Sequence, residues 1–294
     1  SSSSATPRSI APSLHGSRRF LLGASLQPSE LGKLAVVIWT SMLVVKKGDR
    51  MRRLTKGLLP ILIVVGTLDL LAILQPDLSV AIMFTLTMGI ILFVAGARIG
   101  HFVVLGIVAI PLLWQQLVRL QYALLRVMSF FNNDAASPTL TYQLKQSLIA
   151  VGSGGFAGRG FGEGRQQYGF VPLGYNDFIA STIGEESGFL GLVVVTGLFA
   201  AYASLGMRIA RQARSPFLQL VAVGLTVTTV ITGFLHIGVV IGLLPTTGLT
   251  LPFVSYGRSN LLLSLVMTGI LVNIGSRRER VVGAAATNPL TVPA

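Results

Sequence analysis

Apolar runs close to the length of a bilayer crossing alternate with short polar loops along most of this chain. A helix needs about 20 apolar residues to cross the hydrocarbon core. Seven segments approach or meet that length, at residues 30–45, 57–75, 78–97, 99–116, 187–206, 217–241 and 258–275. Only 11% of the 294 residues are charged, against about 25% in a soluble domain. The two observations exclude an ordinary soluble domain and predict an all-α polytopic membrane protein with about seven transmembrane helices. The chain has no cysteine, which excludes disulfides and Cys-ligated zinc or iron–sulfur sites.

The net charge of +13 would suit a nucleic-acid binder, but its placement argues otherwise. Lys46, Lys47, Arg50, Arg52, Arg53 and Lys56 follow the first run, Arg98 the third, Arg208, Arg211 and Arg214 the fifth, and Arg277, Arg278 and Arg280 the seventh. These alternate loops hold 13 of the 23 basic residues, and their acids are Asp49 and Glu279 alone. Basic residues collect in cytoplasmic loops, so these loops read as inside. The reading gives a polar extracytoplasmic segment at 1–28, a transmembrane domain at 29–275 with a large extracytoplasmic loop at 117–186, and a cytoplasmic tail at 276–294. An outside N-terminus without a signal peptide, on a chain opening SSSS, leads us to expect an odd number of spans upstream. Within the long loop, residues 113–131 place apolar side chains at helical spacing around Arg119 and Arg126. They form either an interfacial helix or an extension of the fourth span.

Ionisable groups near the bilayer are costly, about 2.5–3.5 kcal/mol at a helix centre, so each needs a reason. Ser29 and Glu30 suit the positive end of the first helix. Lys33, three residues on, faces the same way. Either an intramembrane Glu30–Lys33 ion pair or a cap with a snorkelling lysine fits. Asp77 follows Pro76 and is placed to cap the third span, to act at the outer surface, or both. Asp69, two turns inside the second span, is expected to pair with Lys33 or with a polar residue of a missing upstream span.

Seven glycines fall between Gly152 and Gly164. They match no dinucleotide or P-loop spacing. Such a backbone either approaches a ligand closely or binds an anion, with Arg159 and Arg165 in support, or it forms a tight irregular loop. Downstream, Asp177 enters an apolar stretch that ends in Glu185 and Glu186. On a continuous helix, Asp177 and Glu185 would lie about 12 Å apart, beyond the roughly 5–9.5 Å of a paired-carboxylate glycosidase. Asp177 therefore stands as a lone candidate general base. Two prolines and three glycines interrupt residues 242–257. The pattern reads as a re-entrant hairpin, tolerated in a membrane only where buried or lining a cavity. His101 and His236 have no second metal ligand at useful spacing and are expected to hydrogen-bond a neighbouring helix.

Five stretches, QPSELGK (27–33), LQPDLSVA (74–81), YQLKQSLIAVGSGGFAGRGFGEG (142–164), NDFIASTIGEESGFLG (176–191) and GLLPTTGLTLPFVSYG (242–257), resemble in order the SEDS family of bacterial cell-wall proteins, FtsW and RodA. The GLLPTTGLTLP form and the GEGRQQYGF run look more like the FtsW branch. The resemblance implies a ten-helix fold of which this chain carries the last seven, the first three being absent. It further implies a multi-pass protein of the bacterial inner membrane, active on its extracytoplasmic face. That activity is a peptidoglycan glycosyltransferase polymerising lipid II during cell division, with a class B penicillin-binding protein transpeptidase and other divisome membrane proteins as partners.

The resemblance places the family's essential Asp on Asp177, its QPD Asp on Asp77, and its Glu–Lys pair on Glu30 and Lys33. Glu185, Glu186, Ser255 and Tyr256 fall within the matched motifs as supporting positions. The implied reaction converts an α-linked diphosphate donor into a β-1,4 product. One inversion needs one base on the acceptor hydroxyl. Arg159, Arg165 and Arg258, or a divalent cation (Mg2+ or Mn2+), are candidates to neutralise the leaving diphosphate. Three departures stand out. Pro172–Asn176 lacks the Glu and His usual before the Asp, Arg258 replaces a glycine of SYGGSS, and His236 replaces an Asn. A lipid II flippase, a RodA-type elongation polymerase and an inactive scaffold are the competing readings.

Overall fold

The computed structural model describes residues 27–48, 57–75, 77–103, 138–164 and 176–286, with isolated positions between 104 and 137; side chains are described as far as residue 276, apart from those at 138–141. Seven helices order the described residues: α1 (Pro28–Lys47), α2 (Leu59–Leu74), α3 (Leu78–Val94), α4 (Pro138–Gly154), α5 (Ile179–Arg211), α6 (Pro216–Val240) and α7 (Arg258–Ala286). There is no strand among them. Four helices, at Pro28–Lys47, Ile179–Arg211, Pro216–Val240 and Arg258–Ser276, are long and apolar enough to cross a membrane, and α2 and α3 are shorter apolar helices. Six of the seven expected spans are thus helical. The fourth is seen at its opening turn, residues 99–103, and otherwise lies outside the described residues, as do most of 113–131 and nearly all of 1–28.

Local chemistry sets the helix ends. Pro28 starts α1, where a missing N–H costs nothing, and Gly48 stops it at φ 48°. Asp77 caps α3 by accepting from Val80 N at 3.4 Å, and Ser215 caps α6 by accepting from Leu218 N at 3.3 Å. Helix α6 is the axis of the bundle. Seventeen of its residues are buried, and α1, α3, α4, α5 and α7 all pack on it. Small residues let the neighbours in: Gly224 sits against Val37 and Ile91, and Gly233 against Phe199. The hydroxyls of Thr226, Thr228, Thr229 and Thr232 donate to carbonyls one turn back at 2.7–3.0 Å. Polar side chains are thereby satisfied inside an apolar axis. Leu198, Val194, Ile63 and Leu262 stay 57–65% exposed, the outward apolar face of a membrane protein.

The long segment 117–186 contains a helix, α4 (Pro138–Gly154). Its Leu144, Ser147 and Ala150 are buried at helical spacing, and Ser147 Oγ donates to Val240 O at 3.1 Å. Its polar face, with Gln143, Lys145 and Gln146, masks this pattern in a hydropathy profile. Residues 242–257, expected as a re-entrant hairpin, form one irregular segment between α6 and α7, folded back so that Thr246, Leu249, Leu251 and Ser255 are buried.

Candidate functional site

The segment 242–257 is where several of the motif stretches of the sequence meet. Its turns use Gly242 (φ 74°), Gly248 (φ 71°) and Phe253 (φ 67°). Phe253 is the one non-glycine residue at positive φ among the described residues. Ser79 Oγ, two residues after Asp77, donates to Thr247 O at 2.6 Å. Gln27 N, at the start of the QPSE turn, donates to Ser259 Oγ at 3.0 Å. Ser255 accepts from Leu251 N at 2.8 Å and donates to Asn176 O at 2.8 Å. The starts of α1, α3, α5 and α7 are thereby gathered at one end of the bundle. Lys46, Lys47, Arg208 and Arg211 lie in the last turns of α1 and α5, away from it.

Asp177 lies in a turn ahead of α5, not inside a helix, and is half-buried. The carbonyl of its neighbour Asn176 is anchored by Ser255, so the backbone that carries the carboxylate is fixed from the 242–257 segment. Tyr256 and Arg258, which follow Ser255 in sequence, are exposed, Arg258 as the first residue of α7.

Glu30 and Lys33 form an ion pair, with Lys33 Nζ donating to Glu30 Oε1 at 2.7 Å. Both residues are buried, and Glu30 Oε2 has no hydrogen-bond partner among the described residues. The ion-pair alternative is therefore the one observed. Lys33 is not the partner of Asp69. Asp69 Oδ2 accepts from Thr85 Oγ1 of α3 at 2.8 Å.

The glycine-rich stretch has a backbone task. Helix α5 breaks at Gly188 (φ 65°, ψ −159°), and the turns of residues 155–160 lie along the break, backbone to backbone. Phe189 N and Leu190 N donate to Gly155 O and Phe156 O, and Arg159 N and Gly160 N donate to Glu185 O and Glu186 O, at 2.9–3.2 Å. A Cβ on Gly154 would collide with Gly184 O, and one on Gly158 with Glu186 O. Arg159 is correspondingly occupied. Its Nε donates to Ser153 O at 3.2 Å and its guanidinium lies 3.8 Å from the fully buried Glu185 carboxylate. Glu186 is half-buried on the same splice, and Arg165 lies outside the described residues. Gly188→Ala forces a side chain into a conformation that is essentially glycine-only, costing about 1–3 kcal/mol. Its Cβ would also meet Gly158 N and Phe156 O. The expected outcome is a clearly lowered melting temperature of the detergent-purified protein. Gly66→Ala is the control, because nothing lies within 4 Å of its Cβ position.

His236 bonds to the 242–257 segment and not to a helix. Its Nδ1 lies 2.7 Å from Leu249 O. His101 Nδ1 is buried without a hydrogen-bond partner among the described residues. Sequence reasoning missed His236, Ser255 and Asn176 as a connected set. Only the hydroxyl and imidazole inside an apolar motif hinted at them.

The family model for cell cycle proteins of the FtsW/RodA/SpoVE type matches residues 5–280. A probable peptidoglycan glycosyltransferase FtsW of Trichlorobacter lovleyi is 41% identical over 256 residues, covering 87% of this chain and 67% of the relative. Stage V sporulation protein E of Bacillus subtilis is 38% identical over 268 residues, covering 90% and 74%. Among solved structures, a chain of a peptidoglycan synthase complex that coordinates polymerization and crosslinking superposes with a TM-score of 0.74. It is 25% identical, with 92% of this chain and 76% of that one covered. The Thermus thermophilus rod shape determining protein RodA gives a TM-score of 0.61 at 25% identity, with 92% and 73% covered.

Proposed function

This chain belongs to the FtsW/RodA/SpoVE family of cell cycle proteins, and on that premise we propose that it is a peptidoglycan glycosyltransferase. It polymerises lipid II by inverting transfer, with Asp177 as general base. The observation that carries the reading is the gathering of the α1, α3, α5 and α7 starts on residues 242–257, with the backbone of Asp177 pinned there by Ser255. A general base must sit in a fixed place within hydrogen-bond reach of the proton it takes. A loop residue held by a buried hydroxyl meets that need better than a free loop would.

In this reading the acceptor 4-hydroxyl loses its proton to Asp177 as its oxygen attacks the anomeric carbon from the face opposite the diphosphate. The α bond breaks, the β bond forms, and the diphosphate leaves with the bonding electrons. Arg258 is exposed at the start of α7, where the positive helix end also favours anions, which supports it as the group that meets the leaving charge. Arg159 is taken up by Ser153 and Glu185 and serves the splice. Among the described residues no three His, Asp or Glu side chains are grouped to hold a metal ion, so no step is routed through the divalent cation that the resemblance suggests. The charge asymmetry supports an extracytoplasmic Asp177 end and a cytoplasmic basic end. A class B penicillin-binding protein and other divisome membrane proteins are the partners in this reading.

Reconstitution separates the readings. The protein in liposomes with lipid II, alone and with a class B partner, is expected to yield glycan polymer. Lipid II crossing the bilayer without polymer under every partner condition would favour a flippase instead. Arg258→Gly, which restores the usual glycine, is expected to raise KM for the donor by about 10- to 150-fold if the guanidinium contributes one charge-assisted contact of about 1.5–3 kcal/mol.

A further inference from the structure

We infer that His236 is a positioning residue for Asp177, acting through residues 249–255. The inference rests on the glycosyltransferase reading for its kinetic consequence and on geometry for the rest. The imidazole is buried in α6, 1% exposed, with Nδ1 2.7 Å from Leu249 O. A carbonyl only accepts, so Nδ1 carries the hydrogen and the ring is fixed in that tautomer. Nε2 is buried with no partner among the described residues, so the ring makes one directed bond and that bond is to the segment. Next along the chain, Asn260 Nδ2 of α7 donates to Thr250 O at 3.4 Å. Leu251 N then donates to Ser255 Oγ, and Ser255 Oγ to Asn176 O, both at 2.8 Å. The residue after Asn176 is Asp177. A line of directed bonds thus runs from the bundle axis to the backbone of the catalytic carboxylate, and His236 is its inner anchor.

An asparagine at this position could make the same bond. The Nδ2 of an asparagine and the Nδ1 of a histidine are each three bonds from Cα, and both are N–H donors. His236→Asn therefore keeps the bond to Leu249 O, whereas His236→Leu fills the space and leaves a buried carbonyl unsatisfied. Misplacement of a reacting group by about 1 Å costs on the order of 100-fold in rate. The loss falls on kcat and not on KM, because Asp177 acts on the reacting hydroxyl while donor binding is made elsewhere.

Two readouts test this. The chain has no cysteine, so Asp177→Cys and Gln212→Cys each provide a single thiol, at the site and in the exposed turn after α5. In His236→Leu, maleimide labelling at position 177 is expected to quicken about fivefold or more as the anchored turn loosens, with labelling at position 212 unchanged. His236→Asn restores the parent rate at 177. In the polymerisation assay, His236→Leu is expected to lose about 10- to 100-fold in kcat at constant KM, and His236→Asn to stay near the parent. Unchanged labelling at 177 in His236→Leu would overturn the inference whatever the activity. So would labelling that rises equally at 177 and 212, which would mark general loosening of the fold. A parent without polymerase activity would sink the glycosyltransferase reading and leave the labelling result to decide the positioning role by itself.

Discussion

Asp177→Asn is expected to lower the turnover of lipid II by about 10²- to 10⁴-fold, the range that a positioned general base contributes. The change in melting temperature should be small beside the loss of rate, because asparagine keeps the size of the half-buried side chain and the Ser255 bond to the Asn176 carbonyl is untouched. Asp177→Glu keeps the base but moves it by one methylene, so an intermediate rate is expected. The diagnostic pattern is a fall in kcat with KM preserved, read from initial rates over a donor concentration series. An Asp177→Asn variant with parental kcat would remove the carboxylate from the mechanism.

Lys33→Met is expected to destabilise the protein by about 3–5 kcal/mol, the cost of stranding one member of a buried ion pair. Glu30 and Lys33 are 7% and 3% exposed, and Glu30 Oε2 already lacks a partner among the described residues. Removing the ammonium would leave an uncompensated carboxylate at the start of α1. The double change Glu30→Gln with Lys33→Met removes both charges and is expected to recover most of the loss. A thermal-unfolding double-mutant cycle reads the coupling directly. Near-additive single effects would show that the pair is not a unit.

The helices were legible because a bilayer crossing leaves a mark that no local context can hide. Runs at 30–45, 217–241 and 258–275 each became part of a helix. Even the predicted start of the fifth span near residue 187 has a physical counterpart, since α5 begins earlier but breaks at Gly188. What hydropathy cannot see is pairing between distant backbones. Gly154 and Gly158 lie in a stretch whose sequence left ligand approach, anion binding and a tight irregular loop all open. With Gly188 they pack where a loop is spliced into a broken helix. Arg159 reaches Glu185 across that splice, a pairing that spacing in the sequence does not show. Asp69 could have been placed from sequence. The turn at Pro76 and Asp77 folds α2 onto α3, and Asp69 and Thr85 stand eight residues to either side of Asp77.

The site was legible in its members but not in its wiring. Asp177, Asp77, Glu30, Lys33 and Ser255 are costly or conspicuous residues beside a membrane, and each could be picked singly. Their convergence depends on residues 242–257 folding back between α6 and α7. Hydrogen bonds from Ser79, His236 and Asn260 to main-chain carbonyls help hold that fold, and such bonds leave no periodic signal in a sequence.

The central claim is that this chain builds glycan by a single inverting displacement. The measurement that bears on it most directly is the linkage of the product made from α-linked lipid II by the reconstituted protein with a class B partner. A β-1,4-linked polymer from the parent, absent with Asp177→Asn, is the result this account predicts. An α-linked product, a trapped glycosyl–protein adduct, or lipid II transport with no polymer at all would contradict it.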